Sequence, residues 1–210
     1  MDFGLYVKFF FGLVAVINPV GLLPVFISLT SHQTPLERDH TAKVANFSVV
    51  IILLCTMMAG QYILNLFSIS LSAFRIAGGT LIALIAMSML QGKLGEVKRN
   101  KEEDREASVM ESVAVVPLAL PLMAGPGAIS SVIVFAAEHG GWINLTAMSI
   151  VVVIFGGLSY GLFRIAPLIN RWLGTTGINV ITRLMGLLML SIGIEVMAAG
   201  IKGLFPTLVG

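Results

Sequence analysis

Long apolar stretches separated by short polar segments dominate the sequence. Six of them are about 20 residues or longer, enough to cross roughly 30 Å of hydrocarbon as helices. Backbone in lipid must satisfy its hydrogen bonds internally, and the short alternating segments of a membrane barrel are not seen. The pattern therefore predicts an all-α, polytopic membrane protein with six transmembrane helices. The runs are residues 3–29, 44–67, 72–91, 112–137, 142–166 and 180–205.

The composition indicates the same environment. Apolar residues make up 57% of the 210 positions and charged residues only 11%, whereas soluble globular chains carry about 25% charge. The single cysteine, Cys55, excludes an intramolecular disulfide and a Cys-rich metal site. The sequence has no basic patch with interleaved aromatic residues, so nucleic acid is not expected as a partner. No catalytic, cofactor or metal constellation lies within the runs, so we do not expect an enzyme.

The basic residues divide unevenly between the two sides of the predicted bundle. With the N-terminus outside, ten of the 13 Lys and Arg fall on the inside and three on the outside. Because Lys and Arg concentrate in cytoplasmic loops, both termini are predicted on the non-cytoplasmic side. The first run lacks a basic leader and a small-residue cleavage site, so we expect it to stay as a membrane helix.

Two landmarks recur along the chain at almost the same spacing. Pro19 and Pro126 lie 107 residues apart, and the similar openings of the third and sixth runs, at Arg75 and Arg183, lie 108 apart. This spacing favours a duplicated unit of three helices, with chance similarity of apolar sequence as the alternative. Three crossings per unit would invert the second unit relative to the first, as in many secondary transporters.

The predicted organisation is a single membrane domain, residues 1–210. Dense charge of both signs in the middle of the chain is typical of a solvated linker, which we expect in the cytoplasm. The divisions are a first repeat at 1–91, the linker at 92–111 and a second, inverted repeat at 112–210.

The first and fourth runs are interrupted by proline and glycine. Pro19 and Pro24 each lack an N–H group and disfavour helix in the preceding residue, so an unwound segment is predicted at 18–24. Residues 123–131 have a similar break, with glycines that let a ligand approach the backbone. The N–H groups that open a half-helix suit a carboxylate, and unwound carbonyls suit an ammonium group.

We therefore predict that the two breaks form one substrate site near the middle of the membrane. Simple proline kinks are the alternative. The candidate substrate-binding residues are Asn18, Pro19, Gly21, Gly125, Gly127, Ser130 and Ser131.

Glu195 is the only acidic residue deep within a predicted span. A charged group there is costly, so a role in ion coupling or proton relay is one interpretation. A salt bridge with Lys202, two turns further along the same helix face, is the other. Both interpretations stay open at this point.

Small and polar residues in the runs are predicted to mediate helix packing. Gly78, Gly79, Gly186 and the pair Gly157 and Gly161 are expected at close helix contacts. Isolated polar side chains are interpreted as interhelical contacts without a ligand role. They are Asn46, Ser48, Gln61, Ser88, Ser159 and Tyr160.

Four motifs together resemble the MarC family (UPF0056) of bacterial inner-membrane proteins, over essentially the whole chain. They are NPVGLLPVF at 18–26, FRIAGG at 74–79, PLALPLMAGPGAI at 117–129 and TRLMG at 182–186. The resemblance implies six helices, multi-pass location in the inner membrane and, with the orientation above, periplasmic termini. Through a characterised archaeal member it also implies a transporter of small neutral amino acids, driven by a cation gradient of H⁺ or Na⁺.

Two functions from different classes follow. The first is a secondary transporter of small neutral amino acids or similar zwitterions by alternating access. The alternative is a non-transporting membrane scaffold or assembly partner. Membrane lipid is an expected partner in either case, no cofactor is predicted, and homo-oligomer formation stays open.

The orientation is the first testable prediction. A reporter that is active only in the cytoplasm should stay silent when fused to the C-terminus. A cytoplasmic C-terminus would put ten of the 13 basic residues on the non-cytoplasmic side, against the usual distribution of Lys and Arg. The same reporter inserted in the 92–111 segment should be active and serves as the control. Activity at the C-terminus would contradict both the orientation and the inverted repeat.

Overall fold

The computed structural model describes residues 3–31, 33–92, 119 and 123–206. Within these ranges the chain forms seven α-helices and no β-strand. They are α1 (Phe3–Ile17), α2 (Leu23–Leu29), α3 (Pro35–Leu66), α4 (Leu71–Leu90), α5 (Pro126–Glu138), α6 (Trp142–Arg164) and α7 (Ala166–Leu204).

Four helices, α3, α4, α6 and the Thr176–Leu204 part of α7, are long and apolar enough to cross a membrane. The predicted all-α membrane protein is confirmed at this level. Residues 93–111 of the predicted linker lie outside the described residues. The same holds for most of the first half of the fourth run, residues 112–118 and 120–122.

Helix α3 begins earlier than the apolar run that predicted it. The Thr34 hydroxyl accepts a hydrogen bond from the Glu37 N–H, and the Glu37 carboxylate accepts one from the Thr34 N–H. This capping box, with Pro35 in the first turn, stabilises a helix start in polar sequence. The helix therefore extends beyond the apolar part that hydropathy detects.

The segment between the fifth and sixth apolar runs, residues 167–179, is not an irregular connection. The chain is helical there, and Pro167 occupies the first turn of α7, where its missing N–H is not needed. Only Gly174 departs from helical geometry, with φ 60° and ψ 177°. A glycine adopts this conformation without a Cβ clash, so the helix changes direction at Gly174 before its membrane-crossing part.

The most extensive helix contact joins α4 and α7, which run antiparallel. A methyl group on Gly193 would lie 2.9 Å from the Gly79 carbonyl oxygen, so the two backbones are in direct contact. Small residues recur every seven positions on both helices and face one another along the contact. The facing pairs are Ser72 with Gly200, Gly79 with Gly193 and Ala86 with Gly186.

The glycine pair in α6 behaves differently from the prediction. Gly157 and Gly161 have open space where a side chain would be, so they do not form the expected close helix contact. The neighbouring Gly156 faces α3 instead, where a methyl group would lie 3.7 Å from Val50 Cβ. Gly157 lies on the exposed side of α6 and therefore cannot mediate this packing.

Polar contacts join pairs of helices at one end of the bundle. Tyr6 donates a hydrogen bond to Asn144 Oδ1 at 2.9 Å, which joins the start of α1 to the start of α6. Arg75, near the start of α4, forms a salt bridge with Glu138 at the end of α5. We call this end of the bundle the Arg75 end.

A second group of polar contacts lies at the opposite end. Asp39 Oδ1 accepts a hydrogen bond from the Tyr160 hydroxyl at 3.0 Å and lies 3.3 Å from Arg164 Nε. These contacts join the start of α3 to the end of α6. We call this end the Asp39 end.

The close contact between α4 and α7 generates a stability prediction. Gly193→Ala should lower the free energy of unfolding by about 1–3 kcal/mol, because the new methyl group meets backbone atoms that cannot rotate away. Gly157→Ala is the matched control and should be neutral or stabilising, since its Cβ enters open space. Thermal unfolding in detergent measures both, and equal effects would contradict the contact.

Candidate functional site

Asn18 ends α1 and opens the first break. Its N–H donates to the Val14 carbonyl at 2.9 Å as in a helix, but its φ of 48° is in the left-handed region. Asparagine tolerates this conformation better than most residues, and Pro19 prevents the helix from continuing. Helix resumes only at Leu23, so the predicted interruption is present, with Pro24 in the first turn of α2.

The Asn18 side chain folds back over the break. Its Oδ1 accepts a hydrogen bond from the Gly21 N–H at 3.2 Å. A methyl group on Gly21 would lie 2.9 Å from Asn18 Cγ, so the glycine makes room for this amide. Asn18 Nδ2 is buried and has no hydrogen-bond partner in the part of the chain that the structure describes. One side of the amide therefore holds the turn, and the other is an unused donor in the protein interior.

The second break lies before α5. Gly125 is buried and occupies the position before the helix, with Pro126 in the first turn. No side chain caps this helix start. The backbone N–H groups of the first turn, beginning with Gly127 because proline has none, therefore point out of the helix end. Such a helix start attracts the negative end of a ligand.

The two breaks approach each other through Val16 and Gly127. A methyl group on Gly127 would lie 3.6 Å from Val16 Cγ1 and 3.2 Å from Ile82 Cγ1. Val16 is two residues before Asn18, so the end of α1 lies beside the start of α5. Side chains of α1 and α4 thus leave little room next to Gly127.

The two candidate serines, Ser130 and Ser131, make different contacts. Ser130 is buried against α4, where a methyl group on Gly78 would lie 2.6 Å from Ser130 Cβ. Ser131 is half-buried, and its hydroxyl donates to the Gly127 carbonyl at 2.9 Å. Ser130 therefore takes part in helix packing, and the Ser131 donor is engaged within its own helix. Of the candidate side chains, Asn18 has the buried polar atom that finds no partner among the described residues.

Glu195 lies apart from both breaks, on the exposed side of α7. Lys202 is also exposed, and within the described part of the chain the two side chains form no ion pair. The structure thus does not bring Glu195 to the candidate substrate residues. Its role in coupling stays a prediction.

Sequence reasoning missed the ion pairs at the two ends of the bundle. The partners Arg75 and Glu138 are 63 residues apart, and no local pattern joins them. It also missed that Asn46 Oδ1 and Ser159 Oγ are buried and have no hydrogen-bond partner within residues 3–31, 33–92, 119 and 123–206. Among the described residues no group of three or more His, Cys, Asp or Glu could hold a metal ion.

The amino-acid sequence matches a known protein family over almost its whole length. Residues 3–205 match the model described as MarC family integral membrane protein. The UPF0056 membrane protein YhcE of Escherichia coli (strain K12) is 55% identical over 207 residues, which are 99% of this chain and 96% of that protein. No solved structure matches the chain significantly.

More distant relatives match over almost the whole chain as well. The UPF0056 membrane protein YvbG of Bacillus subtilis (strain 168) is 36% identical over 209 residues, 99% of both chains. A UPF0056 membrane protein of Methanocaldococcus jannaschii is 35% identical over 203 residues, 97% of this chain and 98% of its own.

Asn18 generates a prediction that separates its backbone role from its side-chain role. Asn18→Ala and Asn18→Gly both lose the Gly21 hydrogen bond and the buried Nδ2, but only alanine is strained at φ 48°. Asn18→Gly keeps the backbone freedom and should therefore be more stable than Asn18→Ala by about 1 kcal/mol. Denaturant unfolding in detergent measures the order, and an alanine variant as stable as the glycine variant would contradict this account.

Proposed function

The chain belongs to the MarC family of integral membrane proteins, and from this premise we propose that it is a secondary transporter. The substrates we propose are small neutral amino acids or similar small zwitterions, carried by alternating access. The observation that carries the proposal is the buried Nδ2 of Asn18, which has no hydrogen-bond partner among the described residues and lies at the end of the apolar helix α1.

An unused donor in an apolar interior costs free energy unless a ligand or water satisfies it. The acceptor that would relieve Asn18 Nδ2 is a carboxylate or carbonyl oxygen. The uncapped start of α5 favours the same negative group, because its first N–H groups and the helix dipole point out of the helix end. Carbonyls at the end of α1 suit the ammonium group of a zwitterion.

The side chains around Gly127 support a small substrate. Val16 and Ile82 lie so close that even a methyl group on Gly127 would be in tight contact. A ligand that reaches the backbone N–H groups at Gly127 must fit beside these two side chains, which favours substrate side chains the size of those in glycine, alanine or threonine.

Helix packing supports the proposed pair of inverted three-helix repeats. If α1 and α2 correspond to the fourth run, α3 to α6 and α4 to α7, a two-fold axis requires contacts in matched pairs. The contacts of α3 with α5 and of α1 with α6 form one such pair. The contacts of α3 with α6 and of α4 with α7 join equivalent helices, and α4 and α7 are antiparallel as inversion requires.

The two ion pairs suit alternation between the repeats. Arg75–Glu138 and Asp39–Arg164 each join a helix of the proposed first repeat to one of the second. They lie at opposite ends of the bundle. If one repeat rocks against the other, the ion pair at the opening end breaks while the other persists. Glu195 remains our proposal for the group that couples this motion to a cation.

Transport by the purified chain in proteoliposomes tests the proposal. With an imposed H⁺ or Na⁺ gradient, labelled glycine, alanine or threonine should accumulate. Gly127→Ala should raise the half-saturating concentration, and Gly127→Val should raise it by about tenfold, equivalent to about 1.4 kcal/mol, because Val16 and Ile82 already border the site. Gly12→Ala in α1, where a methyl group meets nothing within 4 Å, is the matched control.

The outcomes separate the two functional classes. No accumulation by the folded protein with any of these amino acids and either gradient would favour the scaffold or assembly partner. Accumulation that is equally strong in the Gly127 variants would place the substrate elsewhere. In the same assay Glu195→Gln should change the dependence on the driving cation, and an unchanged dependence would remove Glu195 from the coupling role.

A further inference from the structure

A cavity of about 340 Å³ opens at the Asp39 end of the bundle, away from the two helix breaks. It lies where α3 begins and where α6 passes into α7. Its lining residues are Pro35, Leu36, Arg38, Asp39, Arg164 and Pro167.

Among the described residues, the side chains that line the cavity carry more positive than negative charge. The Asp39 carboxylate is already engaged, since it accepts from the Tyr160 hydroxyl and lies beside Arg164. Within the described part of the chain Arg38 has no such counterion: its Nη2 donates to the neutral Thr30 carbonyl at 3.2 Å. Arg38 Nε is buried and finds no hydrogen-bond partner among the same residues. The described lining thus holds one guanidinium group whose charge is not balanced.

The start of α3 adds to this positive character. Pro35 lies in the first turn of α3 and lines the cavity, so the positive end of that helix dipole lies there. At the junction of α6 and α7, where Arg164 and Pro167 line the cavity, the negative end of one helix dipole meets the positive end of the next, and the two offset each other. Glu37 is used in the capping box of α3 and is not part of the lining. An anion would be favoured by the start of α3 and by Arg38 together.

The surroundings of the cavity are those of a membrane surface. The first turns of α3 are polar and precede its apolar part. Around them, Leu36, Leu168 and Trp172 are exposed, at 85%, 54% and 83%. Exposed tryptophan and leucine next to arginine are typical of the boundary between headgroups and acyl chains. The chemistry of the site therefore fits a phosphate that is attached to a lipid.

We propose that this cavity binds the phosphodiester of an anionic phospholipid, with Arg38 as its main ligand. The acyl chains lie over the exposed apolar side chains at its rim. Basic pockets between membrane helices recognise anionic headgroups in this way. The site is separate from the proposed substrate site and does not depend on transport activity. Free phosphate shares the headgroup chemistry but not the acyl chains, which allows an experiment to distinguish the two.

Native mass spectrometry of the full chain with bound lipid tests the proposal. The protein should retain phosphatidylglycerol in preference to phosphatidylcholine, which has the same phosphodiester but no net charge. Arg38→Gln should weaken retention of phosphatidylglycerol by roughly tenfold, as expected for a lost charge-assisted hydrogen bond. Lys43→Gln is the matched control, because Lys43 is exposed on the same helix and does not line the cavity.

A second variant covers the case in which Arg38→Gln does not fold, since Arg38 also contacts Thr30. Asp39→Asn removes the only carboxylate among the described lining residues and should strengthen phosphatidylglycerol binding by roughly threefold or more. Equal retention of the two lipids, or unchanged binding in Asp39→Asn, would overturn the proposal. Complete displacement of the lipid by millimolar inorganic phosphate would also overturn it, because the ligand would then be a free anion.

Discussion

The backbone contact between α4 and α7 is the interaction on which the rest of the structure depends. In a bilayer, lipid tails are as apolar as leucine, so burial alone does not drive two helices together. Close approach through small residues does, and Gly79 and Gly193 bring the two backbones into contact. Because the small residues repeat every seven positions, the contact continues along the helices and sets their antiparallel register.

Helix α4 also positions the second break. Gly78 of α4 lies against Ser130 of α5, and Ile82 of α4 borders Gly127 at the start of α5. The α5 N-terminus is therefore held against α4 on one side and against Val16 of α1 on the other. A short helix of this kind could not keep such a position by its own hydrogen bonds. Tertiary packing makes the helix start a defined feature of the bundle interior.

The middle and the ends of the bundle use different chemistry. Away from the ends, the polar group at the first break is the neutral amide of Asn18, whose Oδ1 accepts a hydrogen bond and whose Nδ2 has no partner among the described residues. At the ends, charged side chains pair between helices that are distant in sequence, as Asp39 and Arg164 do. A neutral interior avoids the cost of buried charge, whereas paired charges near the surface restrain the helices without that cost. Arg164 both restrains the Asp39 end and lines its cavity.

The sequence by itself determined the features that depend on local physics. Apolar length predicts the long helices, and the missing N–H of proline predicts the breaks at Pro19 and Pro126. Only the tertiary structure decided which small residues are in contact: Gly156 faces α3, and Gly157 one residue later faces away. The left-handed Asn18 and the pairing of distant charges were likewise decided there. The physical reason is that such contacts depend on the rotation and register of each helix. Rotation and register are set by packing against other helices, which are distant in the sequence.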